Sequence, residues 1–404
     1  MASLNWRVPL SGNYLVQRQT PCSSHSPCTV YETMPIVKIR TQLNQGLQRL
    51  RWMAAATLLG LGGCASVVDL GYYWQSVSGH LQLMQAARPV KDWLQDEQAS
   101  ATLKARLELS QRIRHYAVTQ LGLPDNPSYR AYADLQRSAV VWNVVAAPVD
   151  SLTLKTWCFP VTGCVGYRGY FEEAQARALA TQLQTEGWEV SVYGVPAYST
   201  LGWLNWAGGD PLLNTFINYP EGELARLVFH ELAHQVVFAE GDTVFNESFA
   251  TAVERLGAQR WLAEQASPAT RAEYQAFDSR RQQFRALTLA TRQQLTAIYA
   301  SNQPATHDGP APTATKDSAF KEFRSNYAQL KNGWSGYAGY DPWVARANNA
   351  ALGAQAAYDD LVPAFEALFA RQGNNWPRFY DAVKRLAALP KDQRHQQLKE
   401  TRGG

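Results

Sequence analysis

A chain of 404 residues can hold one large or two ordinary domains and bury a substantial core. Hydrophobic residues at 46% against 18% charged exclude a disordered chain, and no apolar run reaches the roughly 18 residues that a membrane-spanning helix needs. The formal charge of +4 is concentrated at one end: residues 1–63 hold six Lys/Arg and one acid, Glu32, which leaves 32 basic and 33 acidic residues in 64–404. The body of the protein thus has no bulk basic character, and nothing in it calls for a nucleic-acid partner.

The first segment reads as an address. Lys38, Arg40, Arg49 and Arg51 precede a short apolar stretch, Met53 to Gly63, of signal-peptide length. It ends in Leu61-Gly62-Gly63-Cys64, the order of a bacterial lipobox in which Cys64 is lipidated and becomes the mature N-terminus. Ala65 and Ser66 follow without an Asp, which points to the outer membrane, with the protein facing the periplasm. The anchor is then acyl chains in one leaflet and not a spanning segment. Residues 1–33 are polar, lie upstream of a good start at Met34, and read as an over-extended gene start. Their Cys22 and Cys28 read as a metal or redox pair only as an alternative to this. Residues 64–404 form the mature chain, read as a single domain. Its remaining cysteines, Cys158 and Cys164, stand six apart around Pro160 and Gly163 and are expected to close a tight loop as a disulfide in an oxidising compartment.

Taken in chain order, Asp69 to about Leu123 has helical spacing, as at Leu103, Leu107 and Ile113. Leu123-Pro124-Asp125-Asn126-Pro127 ends it. Strand-like runs follow at 139–147, 152–157, 166–171 and 188–195, with a helix from about Glu172 to Glu186 between the last two. Beyond Pro220 the chain is helical for most of its length. The stretch from Asn302 to Asp317 is rich in Pro, Ala and Thr and reads as a flexible surface loop. The expected class is α+β, helix-dominated, with a small mixed sheet.

The chemistry concentrates in Leu227-Val-Phe-His-Glu-Leu-Ala-His-Gln-Val236. His230 and His234 are four apart on one helical face and can bind the same ion, while Glu231 beside them can reach a water on that ion without ligating it. A buried pair of structural histidines is the other reading of this segment alone. A second helix opens with Val244-Phe-Asn-Glu-Ser-Phe-Ala-Thr-Ala-Val-Glu254, in which Glu247 is placed to be a third ligand. Glu254, seven residues on and on the same face, is placed to accept a hydrogen bond from a ligating histidine. The intervening Ala239-Glu-Gly-Asp-Thr suits a turn between antiparallel helices.

The pair of motifs resembles the gluzincin metallopeptidases, with His-Glu-x-x-His followed by Asn246-Glu247-Ser248-Phe249-Ala250. Tyr72-Tyr73-Trp74, Ala197-Tyr198-Ser199-Thr200-Leu201-Gly202-Trp203 and Asp210-Pro-Leu-Leu-Asn-Thr215 extend the likeness to a family of predicted bacterial lipoprotein aminopeptidases. The resemblance implies a zincin-like fold with the sheet beside the active-site helix. It also implies one Zn2+ per chain on His230, His234 and Glu247, with Glu231 as general base, Glu254 and Asn246 supporting the ligands, and a peptide substrate. The Gly-x-Met-Glu-Asn strand that holds the free amine in large gluzincin aminopeptidases is missing from the sequence, so exopeptidase action follows from the resemblance alone. Tyr198, Gly202 and Trp203 are candidates for a substrate-pairing edge strand; a packed aromatic strand is the competing reading. Tyr358 is a candidate oxyanion donor; a core or surface tyrosine competes with that role. His80, His115, His307 and His395 read as ordinary surface or packing residues. A catalytically idle envelope scaffold and an endopeptidase or amidase of the envelope are the competing functions.

Overall fold

The computed structural model describes residues 15–20, 28–33, 67–159, 163–197, 199–200, 208–301, 312–355 and 361–401. The expected lipobox Leu61–Cys64 with the apolar stretch before it, Tyr198, Gly202, Trp203 and Tyr358 lie outside the described residues. The chain divides into two compact units, Met1–Trp74 and Gln75–Gly404. The first contains an antiparallel pair, β1 (Leu15–Thr20) and β2 (Cys28–Thr33), with Leu15 opposite Thr33. No helix among the described residues is long and apolar enough to cross a membrane.

The segment expected to be one helical stretch to Leu123 is three helices: α1 (Val67–Ala86), α2 (Val90–Gln95) and α3 (Ala101–Leu121). Pro89 fixes φ and lacks a donor, so the chain extends into the short strand β3 (Arg88–Pro89) before turning helical again. Ser100 then caps α3 by accepting from Leu103 N–H at 3.2 Å, and Gly122, at φ +64°, closes it in the left-handed region. Leu107 and Ile113 are fully buried, as the spacing required.

Two small sheets follow. One is the mixed sheet: β4 (Ala131–Ala133) lies between β3, antiparallel, and β10 (Leu212–Leu213), parallel. The other is antiparallel, with β5 (Val141–Ala147) between β8 (Arg168–Tyr170) and the edge strand β9 (Glu189–Val195), and α4 (Glu173–Thr185) crossing from β8 to β9. The run 152–157 is not the strand expected. Regular pairing there is confined to β6 (Trp157–Phe159) and β7 (Gly163–Val165), where Cys158 faces Cys164 and the two form the expected disulfide. Gly163 approaches Gly241 so closely that a Cβ on it would stand 3.3 Å from the Gly241 Cα, so the hairpin rests on the turn between the next two helices.

Those helices are α5 (Glu221–His234) and α6 (Thr243–Gln265). One face of α5, through Leu224, Val228, Phe229 and Leu232, is fully buried in a core shared with Tyr132, Ala133, Leu212 and Leu213, so the mixed sheet and the motif helix share one interior. Gly257 of α6 permits a close crossing: a Cβ there would lie 2.7 Å from Leu121 and 3.0 Å from Phe229. After the 34-residue α7 (Pro268–Ser301) come α8 (Pro312–Asn332), α9 (Asp341–Ala345), α10 (Asn349–Ala354), α11 (Val362–Arg371), α12 (Trp376–Ala387) and α13 (Lys391–Glu400). The expected loop to Asp317 ends sooner, because Pro312 supplies a helical φ at the start of α8. Phe249 of α6 meets Phe365, Phe379 and Tyr380, so the C-terminal helices pack against the pair α5 and α6.

The start of α6 is tied from far along the chain. Asp242 is fully buried; its carboxylate caps α6 by accepting from Phe245 N–H at 3.2 Å. Arg394 Nη1 reaches it at 2.7 Å and His395 Nε2 at 2.9 Å. His395, expected as a surface or packing residue, is partly buried, and with Arg394 it joins α13 to the cap of α6. Asp242→Ala is expected to cost about 3–5 kcal/mol, since it leaves a buried guanidinium without its carboxylate. Urea unfolding checks this, and a loss below about 1 kcal/mol would show that the clamp contributes little.

Candidate metal centre

Helical geometry places His230 and His234 one turn apart, and their rings meet edge-on with centroids 4.8 Å apart. Their Nε2 atoms face each other at 3.1 Å. Glu247, the fifth residue of α6, brings Oε2 to 3.3 Å from His230 Nε2 and 3.6 Å from His234 Nε2. Three ligands at roughly 2.0–2.1 Å on a tetrahedral metal stand roughly 3.3–3.4 Å from one another. The three edges bracket that value, and two imidazoles with one carboxylate form a donor set suited to a divalent transition ion. The residues therefore fit the group.

The turn that makes the triangle possible is short and fixed. Gly241 adopts φ +70°, which an L side chain rarely takes. Asn246 spans the turn with its amide: Ala239 N–H donates to Oδ1 and Nδ2 donates to the Ala239 carbonyl, both at 2.8 Å. Asn246, expected to support the ligands, bonds the backbone of the turn that precedes Glu247.

Glu254 stands as the spacing required, with Oε2 3.0 Å from His230 Nδ1. Its other oxygen is held by Arg226, a buried guanidinium one turn before His230, which also reaches Asp278 at 3.4 Å. The sequence reading missed Arg226, although following the histidine face back by four residues finds it. Burial raises the pKa of Glu254, but Arg226 and His230 outweigh it and hold the carboxyl well below its usual range. Glu247 behaves likewise: burial opposes ionisation, and His234 and His230 overcome it. On His230, burial disfavours charge, yet Glu247 and Glu254 lift its pKa well above the ordinary value.

Glu231 is different. Burial raises its pKa, His230 and His234 pull it down, and Glu247 and Glu254 push it up again, leaving it raised. A second group that sequence reasoning passed over, Asp210, feels the charge of Glu231. Asp210 is buried, accepts from Thr200 N–H at 3.0 and 3.1 Å, and is pushed to a pKa of about 6, chiefly by burial. Its own N–H donates to Ser128 Oγ at 3.1 Å, and Gln235, next to His234, donates to the same hydroxyl at 3.2 Å. It thereby secures Thr200, in the segment 198–203 singled out for substrate pairing. From β9, Tyr193 presents a phenol whose pKa burial raises, Asn143 lowers and the charge of Glu247 raises. Strand alternation alone gave no sign of it.

Two outcomes test this arrangement. Glu254→Gln should weaken metal binding by about 10–100-fold with the fold retained, measured by chelator competition. Asp210 is protonated more readily folded than unfolded, so its burial costs nothing below the unfolded pKa near 3.8 and its full cost applies above about 6. Wild-type stability relative to Asp210→Asn should therefore fall by about 2 kcal/mol between pH 4 and pH 6 in urea unfolding. Parallel curves would show that Asp210 is not the buried acid described.

Neither the curated proteins nor the solved structures yield a match. A family model described as "Putative aminopeptidase" matches residues 71–398, which takes in α5, α6 and every residue of the donor triangle. The chain belongs to this aminopeptidase family.

Proposed function

We propose that this chain is a zinc-dependent aminopeptidase of the gluzincin type with a zincin-like fold, anchored through Cys64 to the outer membrane and facing the periplasm. The observation that carries the reading is the donor triangle of His230, His234 and Glu247 beside the buried Glu231, in a chain of an aminopeptidase family. Three protein ligands leave one tetrahedral position open, as in catalytic rather than structural zinc sites. A bound zinc ion lowers the pKa of water to about 7 and polarises a carbonyl.

The chain's own groups do the rest. Glu231 accepts the proton of the attacking water at its carboxylate and delivers it to the leaving amine. Glu254, fixed by Arg226, accepts from His230 Nδ1–H and so leaves the Nε2 lone pair directed at the ion. For the hydrogen bond to the developing oxyanion, Tyr358 and Tyr193 are the candidates. The raised pKa of Tyr193 keeps its proton on oxygen. The segment holding Tyr198, Gly202 and Trp203 is assigned to pairing with substrate backbone, and the hold of Asp210 on Thr200 supports a fixed edge there.

The soluble protein beginning after Cys64 should contain about one zinc per chain by elemental analysis and cleave N-free but not N-blocked peptides. Glu231→Gln should lower kcat by at least about 100-fold with zinc retained. Cleavage of blocked peptides makes the protein an endopeptidase; bound metal with no cleavage makes it a scaffold.

A further inference from the structure

Between α3 and β4 the chain passes through Pro124-Asp125-Asn126-Pro127-Ser128-Tyr129, a run of turn formers that ends on an aromatic residue. Tyr129 adopts φ +63°, a left-handed conformation that is an outlier for so bulky a side chain. Such a backbone persists only where its surroundings over-determine it. Here they do. Tyr129 N–H donates to the Asp210 carbonyl at 2.6 Å, and Gln111 Nε2 donates to the Tyr129 carbonyl at 2.8 Å. Arg114 Nε donates to the Ser128 carbonyl, also at 2.8 Å. Asn126 Nδ2 donates to Gln235 Oε1 at 2.6 Å, which ties the loop to the end of α5, one residue past His234. Gly209 closes the other side so tightly that a Cβ on it would stand 2.5 Å from Ser128 N.

The side chain fixed by this backbone is 1% exposed, and its hydroxyl has no hydrogen-bond partner among the described residues. A buried donor left unmatched is destabilising, and a phenylalanine would fill the same space without it. Two carboxylates lie within electrostatic reach. Burial is the main reason that the phenol's pKa stands well above its ordinary value, and Glu231 is the charge that adds most to it, ahead of Asp210. Asp210 is already supplied with donors, Thr200 N–H at 3.0 and 3.1 Å and Gln235 Nε2 at 3.5 Å. Glu231 accepts no hydrogen bond from the described residues. An enclosed donor without an acceptor and an enclosed acceptor without a donor thus share one neighbourhood.

We infer that Tyr129 is a positioning residue for Glu231: its O–H donates to one carboxylate oxygen and so holds the other on the water whose proton it accepts. The inference rests on the peptidase reading above, in which Glu231 is the general base. A base must meet its proton at hydrogen-bond distance, and such contacts are often long in a free enzyme and tighten in the complex. A phenol suits this task. A cation in its place would fix Glu231 as firmly but lower its basicity, whereas a neutral O–H fixes it while leaving more of that basicity intact.

In zinc-loaded protein, Tyr129→Phe should lower kcat on an N-free peptide by about 10–100-fold, the value of one hydrogen bond to a charged group. KM should stay within about twofold, and zinc per chain should not change. In a Glu231→Gln background the same substitution should alter kcat by less than about twofold, because its effect runs through Glu231. The urea midpoint of Tyr129→Phe should equal or exceed that of the wild type, since the hydroxyl removed bonds nothing in the resting structure. An unchanged kcat, an equal loss in both backgrounds or a lowered midpoint overturns the inference. Failure of every peptide to be cleaved overturns the peptidase reading instead, and carbon-13 NMR of ring-labelled tyrosine then decides the contact. With zinc added, the Tyr129 Cζ signal, identified by its loss in Tyr129→Phe, should shift between wild type and Glu231→Gln, because a carboxylate is the stronger acceptor. An unmoved signal overturns the inference whatever the activity.

Discussion

Three electronegative atoms held within 3.6 Å of one another, in a place where water is scarce, are a costly arrangement unless a positive charge sits among them. The same neighbourhood holds Glu231 and Glu254, and Arg226 is the guanidinium bonded to Glu254 there. The two histidines face each other with ring nitrogens that repel unless a proton or a metal ion lies between them. Much of the remaining structure can be understood as holding these groups together against that repulsion. The shared interior under α5, the close crossing allowed by Gly257 and the capped start of α6 all serve a triangle that does not assemble by itself.

The turn between the ligand helices shows how the holding is distributed. A connection this short transmits any displacement of α6 directly to Glu247. Asn246 ties the turn to itself, Asp242 ties it to Arg394 and His395 in the last helix, and the disulfide-closed β6–β7 hairpin rests against Gly241. These are three independent restraints on about eight residues. Each acts on the backbone, so the ligand side chains inherit their positions from the turn. An enclosed carboxylate–guanidinium contact contributes more to geometric definition than to net stability.

The legible parts of the sequence were those with local spacing. His230 to His234, Glu247 to Glu254 and the buried face of α5 follow from one helical period, and the structure places each where that period puts it. The disulfide followed from two cysteines six residues apart. What stayed hidden depends on contacts between distant segments. Asp242 meets residues about 150 positions away, and Asp210 gains its meaning from Ser128 and Thr200. The break in the N-terminal helical stretch at Pro89 was a local signal overridden by helical periodicity on both sides.

The arginines near the centre differ in placement. Arg226 is spent inward: it is buried, and its guanidinium is occupied by Glu254 and Asp278. Through Glu254 it bears on the orientation of His230. Arg271, Arg285 and Arg292 are partly exposed on the wall of a cleft that His230 and Glu254 also line. Neutralising Arg226 would leave Glu254 without its buried counter-charge and loosen the carboxylate that meets His230 Nδ1. Asp278 of α7 meets the same guanidinium, so a residue of α7 also takes part in fixing the donor triangle.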